Sequence, residues 1–276
     1  MIRRVIPQKA RKTIKHCFRI ICQPLVTKRK IRSFLTELGV SKGDVLLVHS
    51  SLSSLGYVPG GPATIIEVLR EAIGAEGTLV FPTQTWEQIN AGLDCFNVRG
   101  TASCVGKISD FFRQQKGVLR SLHPTHSVAA AGPKAEFLVH KHEFATSPCG
   151  EGTPYERILR ADGKILLLGV GLESNTCFHC LEAMNRHSWL LREEPCRIDI
   201  VDYDGCKTEH LFYLQQERIK RAFPQTESFL SKNGAIEIGK LGKARCLLIE
   251  GGRFLDLVQS QLIENPRWLL KSTTDF

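Results

Sequence analysis

The chain has 276 residues, 42% of them apolar and 24% charged, with ten cysteines and a net charge of +9. That much apolar sequence supplies the core of one large globular domain and excludes a disordered or low-complexity chain. Secreted disulfide scaffolds are far shorter, and the most apolar stretch near the start, 18–22, is too short for a signal core or a membrane span, so a cytoplasmic protein with reduced thiols is expected.

The charge is unevenly placed. Residues 1–32 hold eleven Lys or Arg and no acid before Glu37; without those eleven, 26 of the 37 basic residues face 28 acidic ones. Basicity is therefore a property of a tail, and no basic motif with interleaved aromatics points to nucleic acid. Within the tail, Ala10, Ile14, Cys17 and Ile21 fall near one helical face and Lys9, Lys12, Lys15 and Arg19 mostly elsewhere. This pattern fits either a first helix packed on its own domain or an interfacial helix in peripheral contact with an anionic membrane. We divide the chain into a basic amphipathic extension, 1–32, and a single catalytic domain, 33–276.

Beyond the tail the elements alternate. "DVLLVH" (44–49) and "TLVFPT" (78–83) have the length and apolar continuity of buried strands, and "PATIIEVLREAIG" between them has helical spacing with Pro62 at its start. A helix is expected at "SCVGKISDFFRQQ", a short strand at "SVAAAG", a helix at "PKAEFLVHKH" and the strongest buried strand at "GKILLLGV" (163–170). A helix over 174–187 and a hairpin around Asp204 and Gly205 follow, then helix and strand pieces up to "FLDLVQSQLIENPRWLL" (254–270). The expected fold is α/β, with a central mixed sheet largely parallel in its first half, an antiparallel extension and helices on both faces.

In such folds the chemistry sits in loops at the carboxyl ends of strands. The loop "HSSLSSLGYVPGG" places Ser50, Ser51, Ser53 and Ser54 ahead of a helix, and "RSLHPTHS" brings His123 and His126 around a proline. Each of these histidines is either a proton carrier or a core residue satisfied by backbone. The stretch "SNTCFHCLEAMNRH" (174–187) offers three chemistries. Cys177 and Cys180 spell a C-x-x-C, but no second ligand pair exists for zinc and the chain is far longer than a thioredoxin-like domain. His179 and Glu182 at i, i+3 share one helix face, where a carboxylate orients an imidazole. Asn175 or Thr176 suits the helix cap.

Taken in order, "VHSSLSSLGYVPGG", "GTLVFPT", "RSLHPTHSVAAAG" and "GEGTPYERILRADGKILLLGVGLESNTCFHCLEA" resemble the aminoglycoside 3-N-acetyltransferase family over nearly the whole chain from about Ile31. The resemblance implies an acetyl-CoA-dependent N-acetyltransferase without a metal, in which His179 is the general base and Glu182 its acidic neighbour. It places His123 and Ser127 beside the transfer site and Ser50, Ser51, Ser53 and Thr83 with Ser127 along the CoA path. It also makes the C-x-x-C incidental. "TAS" (101–103) and the acid-free "CFNVRG" depart from the family pattern and bear on the acceptor pocket. The basic tail favours a nucleotide- or lipid-linked amino sugar of surface-glycan synthesis as acceptor, with an aminoglycoside antibiotic as the alternative. From other classes stand a non-catalytic membrane-associated interaction protein and a dithiol oxidoreductase; self-association into a homo-oligomer is open.

Overall fold

The computed structural model describes residues 23–185, 189–216 and 219–271. The amphipathic pattern at 10–21 lies outside them.

A helix at Lys28–Leu38 leads into strand β1 (Val45–Ser50), and helices Leu52–Leu55 and Pro62–Ile73 connect it to β2 (Thr78–Pro82). Strands β3 (Cys95–Asn97), β4 (Leu119–Arg120) and β5 (Val128–Ala131) follow, then β6 (Lys164–Leu168) and the helix Cys177–Met184. The hairpin β7 (Cys196–Val201) and β8 (Lys207–Phe212) precedes β9 (Ile236–Leu241), β10 (Ala244–Glu250) and the helix Gly251–Glu264.

Seven strands form the main sheet in the order β4-β5-β2-β1-β6-β10-β9. Only its centre is parallel, β2 and β6 each pairing parallel with β1. β5 runs antiparallel to β2, and β10 antiparallel to β6, so the antiparallel strands flank both sides rather than extending one. The expected hairpin forms, but it joins β3 in a separate three-stranded sheet, β3-β7-β8; the extension of the main sheet is the β9–β10 hairpin. The helix expected at 103–115 is confined to Lys107–Phe112, because Gly106 at φ 107° stands outside helical geometry.

Alternate residues of the central strands enter two different cores. Leu47, Val80, Ile165 and Leu167 pack under the helices Pro154–Arg160, Cys177–Met184 and Gly251–Glu264. Leu46, Leu79, Phe81 and Leu166 pack under Lys28–Leu38, Pro62–Ile73 and Lys107–Phe112 on the other face. This two-sided burial explains why these strands read as continuous apolar runs. The first helix begins inside the segment assigned to the extension: Thr27 accepts the N–H of Lys30, Val26 and Ile31 are buried, and Lys28 and Arg32 pair with Glu67 and Glu71. Residues from Val26 onward thus belong to the folded body, and part of the basic run is neutralised on it.

The smaller sheet has its own apolar cluster, including Ile89, Phe96, Ile198, Ile200 and Phe212. Arg120, on the edge strand β4 and only 2% exposed, ties it to the main sheet. Its guanidinium donates to the carbonyls of Thr83, Val98 and Thr101 and lies 4.7 Å from the Phe96 ring centroid. Burial chiefly, with the charge of Arg113, pushes its pKa down to about 9. Replacing Arg120 with Ala would strand these buried carbonyls, and urea unfolding should show a loss of about 3–4 kcal/mol.

Candidate active site

At the carboxyl ends of β1, β2 and β6 opens a cleft of about 540 Å³. Its walls come from several places along the chain. His49 and Ser50 end β1, Gln84 follows β2, and Thr125 and His126 come from the turn before β5. Asn175, Thr176 and His179 open the helix after β6, and Leu214, Gln215, Arg221 and Phe223 come from the chain after β8. Gly169 at φ 75° makes the turn after β6, where an added Cβ would meet Ser54 at 3.1 Å, and so brings this wall against the serine loop.

The helix that carries His179 is anchored at its start. Asn175 Oδ1 accepts the N–H of Cys177 at 3.1 Å, so Asn175 rather than Thr176 supplies the capping bond. Gln84 Nε2 donates to Thr176 Oγ1 at 3.0 Å and to Tyr155 Oη at 3.2 Å, pinning the helix start to the end of β2. One turn on, His179 Nδ1 and Glu182 Oε2 lie 2.8 Å apart. Glu182 is 2% exposed, and its other oxygen faces Arg221 Nε at 3.4 Å. Arg221 is held in turn by the carbonyls of Gln216 and Ile219. Burial opposes ionisation of Glu182, but the hydrogen bond and charge of His179 and the charge of Arg221 outweigh it and hold the carboxyl below its ordinary range. The result is a cation, a carboxylate and an imidazole in line, with the imidazole on the cleft wall. A carboxylate that fixes the ring through Nδ1 leaves Nε2 for proton exchange with a ligand.

The structure separates the other residues expected at the site. His126 lines the cleft; His123 does not. His123 is 1% exposed, its Nδ1 accepts the backbone N–H groups of Thr125 and His126 at 3.2 and 3.1 Å, and its ring packs 4.5 Å from His142. It locks the turn around Pro124, behind the cleft wall rather than on it, its ring 6.4 Å from that of His126. Ser50 lines the cleft. Ser51 and Ser53 turn toward each other, with Ser54 donating to Ser51 at 2.8 Å, and neither lines it. Thr83 and Ser127 are buried 3.1 Å apart, and both receive the Arg120 Nε–H, so they belong to the inter-sheet tie rather than the cleft wall.

No pattern in the letters marks Gln84, His49 or Arg221. Arg221 sits in a run, "ERIKR", that reads as solvated, and its partner Glu182 is 39 residues away. The C-x-x-C is buried, and burial pushes both thiols upward, away from the reactive thiolate. That removes the physical basis of a dithiol oxidoreductase. Among the described residues no group of three or more His, Cys, Asp or Glu is arranged to hold a metal ion, and no helix is long and apolar enough to cross a membrane.

Burial pushes His49, His126 and His142 from 6.5 down to about 3; the charges of His179 and His142 add to the effect at His126. Between those limits the unfolded chain binds protons that the native state refuses, so stability falls as pH drops below about 6.5. The expected slope is about 1.4 kcal/mol per pH unit for each such group. Urea midpoints at pH 7 and pH 5 should differ accordingly, and His142→Gln should flatten the dependence.

A family model described as aminoglycoside 3-N-acetyltransferase matches residues 47–263. Aminoglycoside N(3)-acetyltransferase IV of Salmonella sp is 34% identical over 243 residues, covering 87% of this chain and 88% of that protein. Aminoglycoside N(3)-acetyltransferase III of Salmonella sp is 38% identical over 189 residues, an alignment that spans 61% of this chain and 65% of that protein, just under two thirds. Among solved structures, a mutant of aminoglycoside acetyltransferase AAC(3)-IVa in complex with a gentamicin has a TM-score of 0.78 at 30% identity, covering 92% of this chain and 95% of that one. With the mixed sheet, the cleft at its strand ends and the imidazole–carboxylate pair already in place, these matches assign the chain to the aminoglycoside 3-N-acetyltransferase family, a family of acyltransferases.

Proposed function

We propose that the protein transfers the acetyl group of acetyl-CoA to an amino group of an aminoglycoside, with His179 as general base and Glu182 as its partner. The observation that carries this reading is the His179–Glu182 pair at 2.8 Å on the wall of the cleft. Membership of the family supports acetyl-CoA as co-substrate, and the names of the relatives support an aminoglycoside acceptor. The surface-glycan precursor expected from the basic tail finds no such support, and we set it aside. Glu173, exposed on the cleft rim, offers a carboxylate to an ammonium group.

The chemistry follows from the residue types. An ammonium group cannot attack a thioester until it loses a proton. Solvent takes that proton; His179 Nε2 takes the second one, which the nitrogen sheds as it bonds to the carbonyl carbon, and Glu182, held ionised by His179 and Arg221, stabilises the imidazolium that results. Acetyl-CoA supplies the acyl group and a thiolate leaving group. The buried, high-pKa thiols of Cys177 and Cys180 argue for direct transfer without an acetyl-enzyme.

Thermal unfolding of wild type and His179→Ala, each with acetyl-CoA, should give stabilisation of both, about 2.7 kcal/mol at a hundredfold excess over Kd. Thiol release with gentamicin should occur in the wild type and fall at least ~100-fold in His179→Ala. No stabilisation and no thiol release with any aminoglycoside would overturn the assignment, and turnover only with a nucleotide-linked amino sugar would restore the glycan reading. Glu182→Gln, which keeps the shape and removes the charge, should lower kcat about 10- to 100-fold while leaving acetyl-CoA stabilisation intact.

A further inference from the structure

Four buried side-chain atoms of cleft-lining residues have no hydrogen-bond partner among the described residues: His49 Nε2, Ser50 Oγ, Asn175 Nδ2 and Arg221 Nη2. Native proteins pair nearly all such atoms, so their concentration around one cleft marks where a polar ligand group belongs.

Asn175 is the best defined of the four. Because its Oδ1 accepts the Cys177 N–H, the orientation of the amide is fixed and Nδ2 is the free end, a donor with no acceptor capacity. The residue is 1% exposed and immediately precedes Thr176, at the start of the helix that carries the base. Its position is therefore rigidly coupled to that of His179. His49 lies near the end of β1 and lines the same cleft. Burial holds its imidazole neutral, so it serves as a hydrogen-bonding group and not as a second base.

Resting on the acetyl-transfer reading, we propose that Asn175 Nδ2, together with the Nε2–H tautomer of His49, donates to the thioester carbonyl oxygen as that oxygen becomes an oxyanion. The acceptor nitrogen forms a bond to the carbonyl carbon, the carbonyl π electrons move onto the oxygen that these donors hold, and the nitrogen's proton passes to His179. Return of the electron pair breaks the C–S bond, and the departing thiolate takes the proton from His179. Donors aimed at a developing oxyanion act on kcat more than on ground-state binding.

The deciding variant is Asn175→Asp, which keeps the oxygen that caps Cys177 and removes the Nδ2 donor. Steady-state thiol release with acetyl-CoA and gentamicin, acetyl-CoA thermal shift and Tm would be measured for it, for Asn175→Ala and for wild type. The expected result is a kcat lower by about 100- to 1,000-fold for Asn175→Asp, with KM for acetyl-CoA within about threefold; the buried carboxyl lowers Tm, so turnover is measured well below the transition. Asn175→Ala should lose stability as well. An Asn175→Asp variant that turns over at the wild-type rate would reduce Asn175 to a helix cap and overturn the proposal. Should that variant fail to fold, the His49 pair decides: His49→Gln, which retains an amide donor, should keep at least about tenfold more kcat than His49→Ala, and equal losses would overturn the proposal. A wild type that releases no thiol with any aminoglycoside or nucleotide-linked amino sugar would sink the acetyl-transfer reading and this assignment together. An active wild type beside an unimpaired Asn175→Asp would sink this assignment alone.

Discussion

Burial of β1 and β6 on both faces is the constraint from which the rest follows. Strands packed between two helical layers admit polar side chains only where they emerge, and β1 does so at His49 and Ser50. The parallel pairing of β1 with β6 brings the ends of both strands to one edge of the sheet, so the helix that follows β6 starts beside the loop that follows β1. The cleft is the necessary outcome of that edge, in keeping with the general placement of sites in open α/β sheets.

A buried carboxylate is the second dependency. Glu182, shut away from solvent, stays charged because His179 and Arg221 approach its two oxygens from different elements. The i, i+3 spacing makes the His179 contact a property of one helix turn. The Arg221 contact is a property of the fold, because the chain after β8 must return across the cleft to deliver it. The imidazole is thus oriented locally and its counter-ion is maintained globally.

This difference in range decides what was legible in the sequence. β1, β2, β6 and the helix from Pro62 announce themselves through apolar runs and a proline start, and the His179–Glu182 pair through its spacing. The roles of Gln84, His49 and Arg221 arise from contacts between residues far apart in the chain, and nothing in their neighbours distinguishes them from ordinary polar positions. His123 and His126 show the limit most sharply. Both flank Pro124 and look equivalent as letters, yet the turn directs one ring into a packed stack and the other onto the cleft wall. The hairpin was legible as a hairpin, but not its membership of a second sheet, because β3, its third strand, has three residues and no periodicity to read.

The Arg120 tie has a consequence for the shape of the cleft. The wall formed by Leu214 and Gln215 leads out of the small sheet, which has its own apolar cluster, whereas His179, Glu182 and Asn175 rest on the main one. The two halves meet at that guanidinium joint and at Arg221, which follows β8 and reaches Glu182. One wall of the cleft thus packs with the small sheet and the opposite wall with the large one, so the width of the cleft is set by how the two sheets are joined.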